Sequence, residues 1–359
     1  MQFDTLVIGA GVAGLMSALE LRDRGQRVLV IGSPHAPPAS WAGGGILSPL
    51  FPWRYPDALL PLTSGAFSAY EHWAHRIAEV GGISPELAAG GMRVWDDVGA
   101  DELAVWSQRS GMVAQWDMTP YGGMASPSIW MPDVGRIRNP RLLKGLRHLV
   151  KATLDIVLVD AHVQSFHSDE RGVFARTEHE DFRADRALIA AGAWSDRFLP
   201  DDGKPYVFPV KGQMLMYRVP EGGLTSVLLT PNGYLIPRSS GLVLVGSTVE
   251  PGLSDSLPTH EAMDRLKTVA SQLLPPSTRG AELVAQWAGV RPGSRRPVPW
   301  IGSVPEYGGR VWLNSGHFRN GLVCAPASAR LVAQLMTGVA PFCNPEPYAP
   351  LLSSSSSSP

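Results

Sequence analysis

Two arginines stand among glycines with apolar neighbours: Arg291 in Ala288-Gly289-Val290-Arg291-Pro292-Gly293-Ser294, and Arg319 in Ser315-Gly316-His317-Phe318-Arg319-Asn320-Gly321. A guanidinium presents a planar donor fork that matches a carboxylate bidentately, so an arginine fixed in a rigid turn suits an anionic substrate. An arbitrary arginine is more often a solvated surface charge, but the apolar neighbours here favour a pocket. Tyr234, in Gly233-Tyr234-Leu235-Ile236-Pro237-Arg238, could offer its phenol to the same carboxylate, although a strand tyrosine is more often a core-edge residue. His317 has three readings, as catalytic base, cofactor contact or turn histidine. With no carboxylate partner identifiable in the sequence, the cofactor contact is preferred. No nucleophile elbow, P-loop or metal triad is present.

A second constellation lies at the start of the chain, Gly9-x-Gly11-x-x-Gly14. The first glycine permits a tight turn, the second lets a pyrophosphate approach the backbone, and the third lets helix and strand pack closely. The helix N-terminus then faces the phosphates with its free amides and dipole. A purely structural strand-to-helix turn is the bland alternative. The acidic residue expected at the end of the second strand, where it would bind a ribose hydroxyl, is replaced by Gly32. Ser33 or a backbone amide is the expected substitute. Further on, Ser40-Trp41-Ala42-Gly43-Gly44-Gly45-Ile46-Leu47-Ser48-Pro49 carries three glycines that would let a flat ring lie against main chain. It could be a flexible loop, but Trp41, Ile46 and Leu47 argue for burial.

These residues need elements to position them. Thr5 to Ile8 is a short apolar, β-branched strand, followed by the glycine run and a helical pattern of Leu15, Ala18, Leu19 and Leu21, ended by Gly25; Val28 to Ile31 is the second strand. The runs 155–159 and 186–190 read as buried strands returning to the same sheet, the second leading into the turn of Gly192 and Trp194. Between Pro205 and Glu250 the pattern becomes antiparallel, with strands at 213–218, 234–237 and 242–245. A helix follows Asp264, then a strand at 311–313 and a last helix from about Asn320. The fold expected is α/β: a discontinuous Rossmann-type domain of residues 1–80, 136–204 and 286–345, and an α+β substrate domain, residues 81–135 and 205–285, built on an antiparallel sheet, with 346–359 as a tail.

Composition narrows the function classes. With 359 residues, 44% hydrophobic and 18% charged, the chain can bury a large core and splits naturally into two domains. A net charge of -1 without blocks of like charge gives no footprint for nucleic acid or an anionic membrane. No apolar run approaches the roughly 20 residues of a membrane span. The N-terminus lacks the pattern of an export signal, and Cys324 and Cys343 suggest neither a disulfide framework nor a zinc site, which fits a reducing cytoplasm.

Taken together, the motifs at 40–49, Phe51 to Pro56, Gly233 to Arg238, Gly289 to Ser294 and Gly316 to Pro326 resemble the glycine oxidases of the D-amino-acid oxidase superfamily, across essentially the whole chain. The resemblance implies non-covalent FAD. It places FAD contacts on Gly9, Val12, Ala13, Gly14, Ser40, Gly44, Gly45, Ile46 and Val163, and on His317, Phe318, Arg319, Asn320, Gly321, Leu322 and Val323, while Gly32 departs from the family's usual acidic residue; Gly11, Gly32, Ser33, Gly192 and Trp194 are further candidate cofactor contacts. It further implies that Arg291 binds the substrate carboxylate, that Arg319 lies at the site entrance and that Tyr234 stands beside the substrate. No protein acid or base is then required, since a neutral amine supplies electrons as hydride leaves its α-carbon. The implied partners are glycine, sarcosine or small D-amino acids with dioxygen, a thiazole synthase of thiamine synthesis, and further copies of the chain in a tetramer. Three rival readings remain: an oxidase or dehydrogenase of another D-amino acid or of a primary or secondary amine in the same superfamily, a catalytically inactive flavin-binding protein, and an NAD-dependent dehydrogenase.

Overall fold

The computed structural model describes residues 2–33, 38–121, 124–201, 205–220, 224–274, 278 and 280–350. The terminal serine run lies outside them. β1 (Phe3–Ile8), α1 (Val12–Arg22) and β2 (Val28–Gly32) form a βαβ unit: β1 and β2 are parallel, with Thr5 opposite Val28 and Ile8 opposite Ile31. The apolar runs Leu6 to Ile8 and Val28 to Ile31 within them are what strands covered on both faces require. The chain continues through α2 (Ala39–Ala42), α3 (Leu60–Thr63) and α4 (Ala66–Glu79) and then leaves for a second sheet through β3 (Met92–Val94), α5 (Ala100–Ser110), β4 (Gln115–Asp117) and β5 (Ser128–Met131).

α6 (Asn139–Ala152) brings it back. There β6 (Ile156–Asp160) joins β2, β7 (Val163–Asp169) and β8 (Gly172–Thr177) form a hairpin, and β9 (Asp181–Ile189) lies parallel to β1. The second sheet is completed by β10 (Val207–Arg218), β11 (Val227–Thr230), β12 (Gly233–Pro237), β13 (Leu242–Gly246), β14 (Glu250–Pro251), α7 (His260–Leu273) and β15 (Glu282–Ser294). β16 (Trp300–Ser303), β17 (Val311–Ser315) and α8 (Gly321–Thr337) close the first layer.

The first sheet runs β16-β17-β9-β1-β2-β6, with the β7–β8 hairpin on β9; the second runs β14-β10-β13-β12-β11-β3-β5-β4, with β15 on β10. The α/β unit assembled from separate stretches of chain and the largely antiparallel second sheet are thus both present. One core packs Leu15 and Leu19 of α1 against Leu331 and Val332 of α8 and against α4 and α6. In the second sheet, strand alternation sends Tyr234 and Ile236 toward Trp53 and Trp106, and Leu235 toward Leu266 and Val269 of α7.

Three expectations need correcting. The boundary placed at residue 286 falls inside β15, because Glu282 to Ser294 pairs almost residue for residue with β10, so this stretch belongs to the second sheet. Residues 346–350 are not tail: Tyr348 is buried, and its hydroxyl donates to the Ala58 carbonyl. α7 starts before Asp264, at His260, because Thr259 caps it by accepting from the Ala262 amide at 3.3 Å.

Candidate active site

At the β1–α1 turn Gly9 has φ +121°, and a Cβ there would lie 2.2 Å from the Ala190 carbonyl oxygen of the neighbouring strand end. A Cβ on Gly14 would lie 1.9 Å from the Gly9 oxygen, so this glycine sets how closely helix and strand approach. Gly11 differs, since its Cβ would meet nothing nearer than Ser40 Oγ at 3.5 Å. α1 begins after Gly11 with no side-chain cap of its own; Ser40 Oγ, reaching over from α2, accepts from the Val12 amide at 3.2 Å. The result is an electropositive helix start facing a cavity of about 450 Å³.

The loop after α2 forms another wall. Gly45, at φ +77°, has room for no Cβ, which would sit 2.0 Å from the Ile137 oxygen, and a Cβ on Gly44 would lie 2.6 Å from Ile236 Cδ1. Main chain is therefore pressed between β12 and the start of α6, as the three glycines predict. Ile46 and Leu47 are buried, whereas Trp41 is 39% exposed, so Trp41 does not anchor the loop as its size suggested. Asn139, the first residue of α6, donates to the Ser40 carbonyl at 2.9 Å, and its Oδ1 is buried without a partner among the described residues.

Arg291 lies on β15 opposite Val210 of β10, not in the turn that its glycine and proline neighbours suggested. Its Nη1 donates to the Thr248 carbonyl at 3.1 Å and to the Lys211 carbonyl at 3.4 Å, and its Nη2 donates to Ser247 Oγ at 2.9 Å. All three acceptors are neutral, and no carboxylate among the described residues stands in ion-pair range of it. Burial pulls its pKa down and the Arg319 charge adds to that, opposed by Tyr234 and Glu250. Space for the guanidinium comes from Gly212 of β10, where a Cβ would lie 1.9 Å from Nη1. Gly212 escaped the sequence reading because its role is a cross-strand one.

Tyr234 is buried on β12, with its hydroxyl 3.4 Å from Met214 Sδ. Arg319 sits in the short 3-10 turn Phe318–Asn320. His317 is buried, its Nε2 3.2 Å from Ser328 Oγ, and burial lowers its pKa to about 4. A neutral imidazole with a hydroxyl partner fits a wall residue better than a proton shuttle at neutral pH.

One cavity brings most of the expected residues together: Gly9, Gly11, Val12, Ala13, Gly32, Ser33, Ser40 and Gly44 to Ile46, with Val163, Gly192 and Trp194, and Tyr234, Arg291, His317 to Arg319, Gly321 and Leu322. Gly14, Asn320 and Val323 are not among its lining residues. Gly14 packs on the Gly9 carbonyl, and Asn320 and Val323 are buried. The lining also includes Asn139, Arg147, Ser247 and Asn314, none of which carries a motif signal in the sequence.

Residues 4–335 match the family model for FAD dependent oxidoreductases. The chain belongs to that family. It is 39% identical over 357 residues to a glycine oxidase of Pseudomonas aeruginosa, covering 96% of this chain and 98% of that protein. It is 30% identical over 345 residues to the bifunctional protein ThiO/ThiG of Synechocystis, covering 93% of this chain and 51% of that one. The crystal structure of glycine oxidase from Geobacillus kaustophilus superposes with a TM-score of 0.88 at 27% identity, over 98% of this chain and 99% of that chain. The protein is therefore an FAD-dependent amino-acid oxidase.

The cavity suits that cofactor. The electropositive start of α1 complements a pyrophosphate, glycine main chain leaves room for a planar ring, and Asn139 Oδ1 and Asn314 Oδ1 are buried acceptors without donors among the described residues. Ribityl and ribose hydroxyls supply donors of the kind such acceptors need.

Proposed function

We propose that this enzyme oxidises glycine, and also sarcosine and small D-amino acids, with dioxygen as the final acceptor. The observation that carries this reading is Arg291, a largely buried cation with neutral partners only, facing the same cavity as the glycine-rich cofactor walls. A bound α-carboxylate supplies the missing countercharge bidentately, and the Tyr234 hydroxyl adds one more donor beside it. Ser247 and the Thr248 carbonyl hold the guanidinium plane, so the substrate α-carbon is presented in one orientation.

FAD, when bound, supplies the acceptor for the hydride that leaves the α-carbon. The protein contributes orientation and desolvation. No aspartate or glutamate lines the cavity among the described residues, so an ammonium group finds no countercharge there and the neutral amine is the form that fits. Overall, glycine, dioxygen and water become glyoxylate, ammonia and hydrogen peroxide, or the imine passes on before hydrolysis. Delivery of that imine to a thiazole synthase is supported by the Synechocystis relative, the bifunctional protein ThiO/ThiG.

The test is an anaerobic absorption spectrum before and after glycine, followed by air and peroxide detection. Bleaching by glycine with recovery and peroxide in air is the expected result. A flavin that glycine leaves oxidised would redirect the reading to other amines, and bleaching without recovery in air would point to a dehydrogenase.

A further inference from the structure

The end of β2 lacks the carboxylate that dinucleotide sites of this type place against the adenosine ribose, and the geometry supplies both a reason and a replacement. A Cβ on Gly32 would lie 2.4 Å from the Ala10 Cβ, so a longer side chain at this position requires the strand end and the glycine turn to separate. The neighbouring strand carries the acid instead: in the β2–β6 register Gly32 is opposite Asp160, and the Ala161 amide donates to the Gly32 carbonyl at 3.1 Å. Asp160 accepts from Arg147 Nη2 of α6 at 2.5 Å, and Arg147 lines the cavity together with Gly32, Ser33 and Ala161.

We propose that Arg147, steered by Asp160, holds the adenosine end of FAD in place of a carboxylate at position 32. One edge of the guanidinium is committed to Asp160, and the rest of its fork and its planar face remain for the ribose oxygens and the adenine ring. A ribose hydroxyl accepts as well as donates, so a cationic donor here replaces an anionic acceptor without loss of pairing. A mere surface ion pair, with side chains 32% and 48% exposed, would contribute little to stability and nothing to cofactor affinity.

The experiment measures FAD release on dilution of the holoprotein, by the fluorescence of free FAD, for wild type, Arg147→Met and Arg147→Gln at two ionic strengths. Thermal unfolding is recorded in parallel at saturating FAD, set to the same multiple of each variant's own dissociation constant so that the ligand contributes equally to every transition. The expected result is at least a tenfold rise in the FAD dissociation constant for Arg147→Met and a smaller rise for Arg147→Gln, with unfolding temperatures at saturating FAD unchanged and a shallower salt dependence than wild type. Asp160→Asn, which frees the guanidinium without removing it, moves affinity in the same direction by less. An FAD affinity within twofold of wild type in either Arg147 variant overturns the proposal. So does a loss matched by an equal fall in the unfolding temperature at saturating FAD, which would mark Arg147 as a structural residue. Because glycine oxidation is not the readout, failure here leaves the substrate assignment untouched.

Discussion

Arg291 and Gly212 form one functional pair, although only the arginine announces itself. Replacing Arg291 by Met removes a bidentate charge-assisted contact, which is expected to reduce kcat/KM for glycine by about a hundredfold, or roughly 3 kcal/mol, mainly through KM. Bound FAD, read from the visible spectrum, should remain at full occupancy. Gly212→Ala puts a methyl group 1.9 Å from the position of Nη1, so it displaces the same guanidinium and should raise KM with the cofactor retained. An unchanged KM in either variant would contradict the role. His317 makes a prediction about acid. Its pKa falls from the usual 6.5 to about 4 on folding, so the unfolded chain binds the extra proton between those values. Stability is then full above pH 6.5 and is lost as pH falls toward 4, by about 3 kcal/mol at most. His317→Gln should flatten that part of the stability curve measured by urea unfolding.

At the scale of elements, local signals carried the first βαβ unit completely. Its strands carry the apolar runs Leu6 to Ile8 and Val28 to Ile31, Gly9 and Gly14 sit where φ or close packing demands them, and Gly14→Val tests the second of these. A side chain there runs into the Gly9 carbonyl and forces α1 away from β1, so purified protein should contain at most about a tenth of the normal FAD while keeping its helical circular dichroism. Full flavin content would contradict the close-packing role. Elements defined by distant partners were less legible. β15 contains Gly289, Pro292 and Gly293, residues that read locally as a turn, and becomes a strand only because β10 pairs along its length. The same distance in sequence hid Gly212 and Asn139, whose roles are set by what lies across a strand or beyond a helix end. Trp41 misled in the opposite sense: its size suggested burial, yet the glycines beside it are what pin the loop.

Over the whole molecule, the cavity joins the strand ends of the first sheet to the inner face of the second, so one ligand touches both layers. FAD should accordingly stabilise the entire fold, by about 2.7 kcal/mol at a free concentration a hundred times its dissociation constant, seen as a single unfolding transition moving upward. Two transitions, only one of them FAD-sensitive, would mean that the layers unfold independently. The charge of the cavity leads to the last prediction. Its described lining includes Arg147, Arg197, Arg291 and Arg319 but no aspartate or glutamate, a distribution that attracts pyrophosphate and carboxylate and repels ammonium. Glycine in water is a zwitterion, so its carboxylate is welcomed and its ammonium is not. Since no lining carboxylate takes up the proton, it must leave to solvent before or during binding. kcat/KM for glycine should therefore rise about tenfold per pH unit while the ammonium form predominates, and level off once the amine is neutral. A substrate-like inhibitor with a carboxylate and no amine, such as glycolate, should bind without that dependence over the same range. If glycolate affinity followed the glycine profile, the titrating group would belong to the protein, and the argument from the missing carboxylate would fail.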